Sequence, residues 1–139
     1  MPKVDLPLDQ KNIIITRSKE GIIDIKKIFT SKGANIYDFP AISIGDPDDL
    51  NPLDEALNQI NDFHWIIFSS SNGIKFVDKR LRYFNSSLKE CSKKTKIAVV
   101  GEKTSKTLDD FGIKADFIPP EFVAESLIDN FPVSGYGLR

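Results

Sequence analysis

The chain has 139 residues, about one domain's worth, and its 40% hydrophobic and 28% charged residues are the balance of an ordinary globular protein with a real core. A formal net charge of −1 gives no bulk attraction for nucleic acid or an acidic membrane surface. No apolar run approaches membrane-spanning length, no signal pattern opens the chain, and the lone Cys91 supports neither a disulfide frame nor a thiolate metal site, so a cytoplasmic protein is expected.

Residues 1–10 are polar and proline-bearing and read as a loosely held leader. Ile13, Ile14 and Ile15 then carry the signature of a strand buried on both faces, and it ends at Thr16, Arg17 and Ser18. Ile22, Ile25, Ile28 and Phe29 follow at helical spacing, and Gly33 is placed to end that helix. Residues 35–39 form a short strand broken by Pro40, which implies a right-handed parallel crossover. Residues 41–44 read as an extended connector, followed by a turn around Pro47. A helix begins near Asp49 with Pro52 in its first turn and Leu50, Leu53, Leu57 and Ile60 as its buried stripe.

Trp65, Ile66, Ile67 and Phe68 form a second buried strand that stops abruptly at Ser69, Ser70, Ser71, Asn72 and Gly73. Ile74, Val77, Leu81 and Phe84 then mark an amphipathic helix, for which Ser71 is a candidate N-cap. Residues 85–95 are hydrophilic, with Leu88 alone expected to pack and Cys91 expected at the surface. A third strand covers residues 96–100, Gly101 ends it, and a helix with Leu108 and Phe111 inward runs to Gly112. Phe117 and Ile118 form a short strand stopped by Pro119 and Pro120. A last helix from Glu121 turns Phe122, Leu127 and Ile128 inward, and the chain ends in Pro132, Gly135, Gly137, Leu138 and Arg139.

Alternating strands and helices predict an α/β fold with a covered parallel sheet, in which ligands bind at the carboxyl edge of the strands. The three strand ends at residues 16–18, 69–73 and 101–104 are rich in hydrogen-bond donors, and helix N-termini there favour anionic oxygens. Gly101, Lys103 and Thr104 lack the remainder of a phosphate-binding loop, and no glycine trio follows Ile15, so nucleotide fingerprints are absent. His64 has no second ligand for a metal, and Asp46, Asp48 and Asp49 read as charge at a helix entry. Arg17, directly after a strand, is placed to clamp a carboxylate.

The isoleucine-rich strand with Thr16 and Arg17, the run from Trp65 to Gly73, and Val99, Val100, Gly101 and Thr104 together resemble uroporphyrinogen-III synthase. So does the segment with Glu121, Phe122, Ala124, Glu125 and Leu127, and the resemblance extends from about Asn12 to the final residue. It implies a lyase of tetrapyrrole biosynthesis, on the route to haem, that cyclises the linear hydroxymethylbilane to uroporphyrinogen III. Water is lost and the last pyrrole ring is inverted, without metal or organic cofactor. It implies substrate binding by Thr16, Arg17, Ser70, Ser71, Asn72, Gly101 and Thr104, with Thr104 and Ser70 as the hydroxyls for any proton transfer. Ser69 stands where members often carry threonine, and Val123 where a hydroxyl residue is frequent.

The family's flavodoxin-like two-domain plan assigns residues 1–10 to a leader, 11–40 to a strand-helix-strand piece of the first domain and 41–47 to a linker. Residues 48–139 then form most of the second domain, with Leu138 and Arg139 beginning a further strand. On that plan the chain is an incomplete synthase, inactive alone and a monomer when complete. Its partner is the small-molecule substrate, with no nucleic acid or membrane. The competing expectation is a non-enzymatic α/β module that binds an anion or small molecule. Thr16, Ser69 and Gly101 at strand ends where a receiver requires an aspartate argue against the receiver version of such a module.

Overall fold

The computed structural model describes residues 6–132, in two compact units that divide after Asp48. The terminal Gly135, Gly137, Leu138 and Arg139, with the further strand expected there, lie outside the described residues. In the first unit, strand β1 (Asn12–Ile15) leads through Thr16, Arg17 and Ser18 into helix α1 (Lys19–Ser31), and strand β2 (Asn35–Asp38) returns parallel to β1. Gly33 makes the reversal at φ +96°, and a Cβ there would lie 3.0 Å from the Asp9 backbone. Within the described part of the expected leader, residues 6–10, the chain is tied down rather than loose: the Leu8 amide donates to the Lys32 carbonyl at 3.0 Å.

Burial in this unit differs from expectation. Ile15 and Ile22 are buried, but Ile14 is 67% exposed and Ile28 55% exposed. The sheet is two-stranded and α1 covers only one of its faces, so side chains that alternate along β1 cannot both be enclosed. Ile25 is half-buried, and the inward stripe of α1 is narrower than its isoleucines imply. Residues 41–47 carry no regular structure.

The second unit begins with helix α2 (Asn51–Asn58), whose first turn is set by the Asp49 carboxylate accepting from the Asn51 amide at 2.9 Å. A single 3-10 turn (Ile60–Asp62) then feeds strand β3 (Trp65–Phe68). Helix α3 (Ser71–Tyr83), short helix α4 (Leu88–Cys91), strand β4 (Lys96–Val99), helix α5 (Glu102–Asp110) and helix α6 (Ala124–Asn130) follow. β4 lies parallel to β3 with Phe68 opposite Val99, and Phe117 adds a single parallel bridge to Ala98 rather than a strand. The reason is visible at Asp116, whose carboxylate accepts from the Ile97 amide at 2.8 Å and takes up a ladder donor.

The core of this unit joins Ile74 and Leu81 of α3 to Leu88, Ile97, Val99 and Leu108, with Leu57 and Ile60 below. Residues 85–95, expected to be mostly solvated, contain α4 instead, capped by Ser87 accepting from the Glu90 amide at 3.2 Å. Cys91 is buried in the core rather than exposed. α6 starts at Ala124, three residues later than expected, and Phe122 and Ile128 point to solvent, while Ser126 is the residue it buries. Ile67 is 49% exposed, so β3, like β1, is covered on one face only.

Two carboxylates fasten the helices. Asp78, 4% exposed, accepts from the Leu88 amide at 2.9 Å and from Arg82 Nε at 2.6 Å, stapling α3 to α4. Asp54 on α2 makes a bidentate pair with Arg80 on α3 at 2.6 Å for both contacts, with about a fifth of each side chain exposed. The hydrogen bond from Arg80, with the charge of its guanidinium, holds the Asp54 carboxyl below its ordinary value of 3.8 against the opposing effect of partial burial. Arg80 also lies over the Tyr83 ring, 4.5 Å from its centroid.

Asp78→Ala leaves the buried Leu88 amide unpaired and is expected to cost about 1–3 kcal/mol in chemical denaturation, with Asp78→Asn costing less because it keeps an acceptor. The Asp54 pair has a pH signature. Its lowered carboxyl contributes stability fully above pH 3.8 and loses it as pH falls through the lower folded value. The gap in denaturation midpoint between the native chain and Asp54→Asn should therefore be constant near neutrality and close below that value.

Candidate functional site

Because β3 and β4 run parallel, both deliver the chain to the same edge of the sheet, and both are followed at once by a helix. The two helix N-termini that result bring residues 70–73 and 101–104 together. The bond between them is direct: Ser71 Oγ donates to the Lys103 carbonyl at 3.2 Å. The first amides of a helix have no intrahelical acceptor, so each N-terminus offers donors and a partial positive charge at this edge.

Each expected residue takes a different post. Ser70, not Ser71, is the cap of α3: its backbone is extended, and its Oγ accepts from the Gly73 amide at 3.0 Å. The cap sits one residue earlier because Ser71 is already helical and its hydroxyl is engaged across to α5. A Cβ at Gly73 would stand 3.4 Å from Ser70 Oγ, an ordinary contact, so the cap itself does not require glycine there. Asn72 is exposed in the first turn.

Gly101 precedes α5 with φ +103° and ψ 143°, a conformation that only glycine adopts without strain. Thr104 lies inside the first turn of α5 and is 4% exposed. Its Oγ1 points back toward Gly101, 3.5 Å from where a Cβ on that glycine would be, and has no hydrogen-bond partner among the described residues. Glu102 already places one carboxylate in this first turn, with Lys103 beside it.

In the first unit, Thr16 and Arg17 occupy the carboxyl end of β1 and are exposed. The Thr16 carbonyl accepts from the Ala41 amide at 3.2 Å. Ser18 and Gly21 repeat the spacing of Ser70 and Gly73, but here the serine side chain makes no cap and the Gly21 amide bonds to the Ser18 carbonyl at 2.9 Å. The Arg17 side chain folds over this turn, its Nε 3.1 Å from the position of a Gly21 Cβ, so glycine is what lets it lie there.

One residue of this edge was not foreseen. Thr107, 8% exposed, is within 2.9 Å of Ser71 Oγ and 3.0 Å of the Lys103 carbonyl. The available signal was a threonine one turn after Lys103, on the helix face that also carries Leu108. A groove of about 870 Å³ along α1 and the end of β2, lined by Lys19, Ile22, Ile23, Lys27, Asp38 and Pro40 among others, contains none of the expected residues. It is mostly apolar, with Lys26 committed to Asp38 at 2.8 Å and Lys19 and Lys27 exposed at its rim, whereas the strand ends of the second unit present hydroxyls and helix-start amides. No group of three or more His, Cys, Asp or Glu side chains among the described residues could hold a metal ion. No helix there is long and apolar enough to cross a membrane.

The comparisons with known proteins agree with one another. Residues 23–136 match the family model described as uroporphyrinogen-III synthase HemD. The chain is 40% identical over 135 residues to the uroporphyrinogen-III synthase of Synechococcus elongatus, covering 96% of itself and 50% of that protein. It is 32% identical over 117 residues to a putative uroporphyrinogen-III synthase of Methanocaldococcus jannaschii, covering 84% of itself and 45% of the relative. The fold matches two crystal structures of uroporphyrinogen III synthase from Thermus thermophilus, each at 11% identity. One gives a TM-score of 0.63 over 86% of this chain and 46% of that one, the other 0.55 over 89% and 48%. The chain thus spans about half the length of these relatives or less. With the match covering most of its residues, the chain belongs to the uroporphyrinogen-III synthase family.

Proposed function

We propose that this chain supplies substrate-binding elements for the cyclisation of hydroxymethylbilane to uroporphyrinogen III. Thr16, Arg17, Ser70, Ser71, Asn72, Gly101 and Thr104 hold the carboxylates and pyrroles of the substrate. The observation that carries this is the pair of adjoining helix N-termini, with an unspent Thr104 hydroxyl in the first turn of α5, in a chain of this family. The reaction asks for such an edge rather than for a strong base. When the hydroxyl leaves, the first ring becomes a cationic azafulvene, and the last ring attacks it through its substituted carbon using its own electrons. The spiro intermediate fragments and recloses with that ring reversed.

The protein's share is to keep two ends of a flexible polycarboxylate in reacting geometry. Amides at helix starts bind carboxylates without giving up protons, whereas hydroxyls both give and take them. Ser70 accepts from Gly73 and so keeps its own proton for a ligand, and Thr104 has both capacities unused among the described residues. These two remain the hydroxyls for proton transfer to the departing water or from the closing ring. Arg17, a permanent cation at a strand end, holds a carboxylate throughout the reaction.

The test is a chimera in which this chain replaces the matching half of the Synechococcus elongatus relative, supplied with freshly generated hydroxymethylbilane. The 139 residues alone are expected to leave type I uroporphyrinogen as the product, and the chimera to give type III. Within the chimera, Thr104→Val keeps the buried shape and removes only the hydroxyl, and should lower type III formation about tenfold, the worth of one hydrogen bond to a charged group. Arg17→Ala should raise KM more than it lowers kcat. A folded chimera that yields only type I, or type III formation indifferent to both substitutions, would contradict the assignment and favour a binding module.

A further inference from the structure

Thr107 is committed to a contact that an ordinary buried threonine does not make. A helical threonine commonly donates to the carbonyl four residues earlier, and Thr107 does lie 3.0 Å from the Lys103 carbonyl. It is also 2.9 Å from Ser71 Oγ on a different helix, and Ser71 reaches the same Lys103 carbonyl at 3.2 Å. Two hydroxyl protons therefore circulate among three contacts, and two of these cross from α3 to α5. Ser71 is the first residue of α3 and Lys103 the second of α5, so the crossing ties first turn to first turn.

We propose that Thr107, acting through Ser71, is a positioning residue that fixes the distance between the N-termini of α3 and α5, so that one polycarboxylate is gripped by both at once. This rests on the reading of that edge as a substrate-binding site. The separation matters because two linked binding events gain from each other only when their spacing matches that of the ligand. Deeper down, α3 and α5 are held by Ile74 and Leu108, both fully buried in one core, so loss of the polar tie leaves the fold in place and frees the helix starts.

The experiment uses the 139-residue chain and two probes: uroporphyrin III, a macrocycle with many carboxylates, and a monopyrrole dicarboxylate that can engage one N-terminus at a time. Thr107→Val keeps the side chain's shape and should weaken uroporphyrin III binding about tenfold while changing monopyrrole affinity less than about twofold. Thr107→Ser, which retains the hydroxyl, should restore the macrocycle's affinity. Equal loss for both probes would mark Thr107 as merely structural, and undiminished macrocycle binding in Thr107→Val beside a loss in Thr104→Val would overturn the positioning role alone. A native chain that binds no uroporphyrin III would overturn the site reading and this inference together.

Discussion

Parallel pairing of β3 with β4 is the constraint from which the rest of the second unit follows. With Phe68 opposite Val99, both strands release the chain at one edge, and each helix that follows must start there. Antiparallel pairing of the same residues would have sent residues 70–73 and 101–104 to opposite ends. The pairing is enforced from below by apolar burial: Ile97, Ala98 and Val99 are fully enclosed, and Ile74, Leu81 and Leu108 close over them from the helices. Polar side chains then finish what burial leaves open. Thr95 donates to the Ile60 carbonyl at 2.9 Å, Asp116 occupies a ladder amide, and Asp78 satisfies the start of α4. Donors that remain unspent are gathered at the carboxyl edge, where Ser70 and Thr104 stand.

Chemistry and architecture meet in the scarcity of conventional catalysts at that edge. Its side chains are mainly hydroxyls, an amide and glycine, with Glu102 and Lys103 exposed in the first turn of α5, and the carboxyl displaced by its surroundings, Asp54, belongs to a structural pair with Arg80 on α2 and α3. A reaction whose electrons come from electron-rich pyrroles has little use for a tuned base, but much use for fixed donors that hold carboxylates apart or together. Glycine serves this end at Gly101, which turns the chain at a positive φ into α5.

The four strands, their parallel sense and the helices that follow β1, β3 and β4 were legible in the sequence, because four-residue apolar runs ending in small polar residues have few other solutions. Burial was less legible. Ile14, Ile28 and Ile67 have the composition of residues enclosed on all sides, yet composition cannot say whether a second layer of helices lies above them, and among the described residues α1 and α3 cover one face each. α4 was hidden because its stability comes from Leu88 and Cys91 entering a core built elsewhere, not from local periodicity. The exchange of roles between Ser70 and Ser71 depended on a partner more than thirty residues away, at Lys103, which no local capping rule contains. The role of Thr107 rests on the same distant pairing, its position one turn after Lys103 being the one local sign of it.

The central claim, that the paired starts of α3 and α5 form the ligand-binding edge, is tested most directly by mapping backbone amide chemical shifts of the chain during titration with uroporphyrinogen III under reducing conditions. The account predicts the largest shifts at the amides of residues 70–73 and 101–104, with the groove along α1 unaffected. Shifts centred on Ile22, Ile23 and Thr30, or on Ser126 and Asn130 of α6, with the two helix starts unmoved, would contradict it.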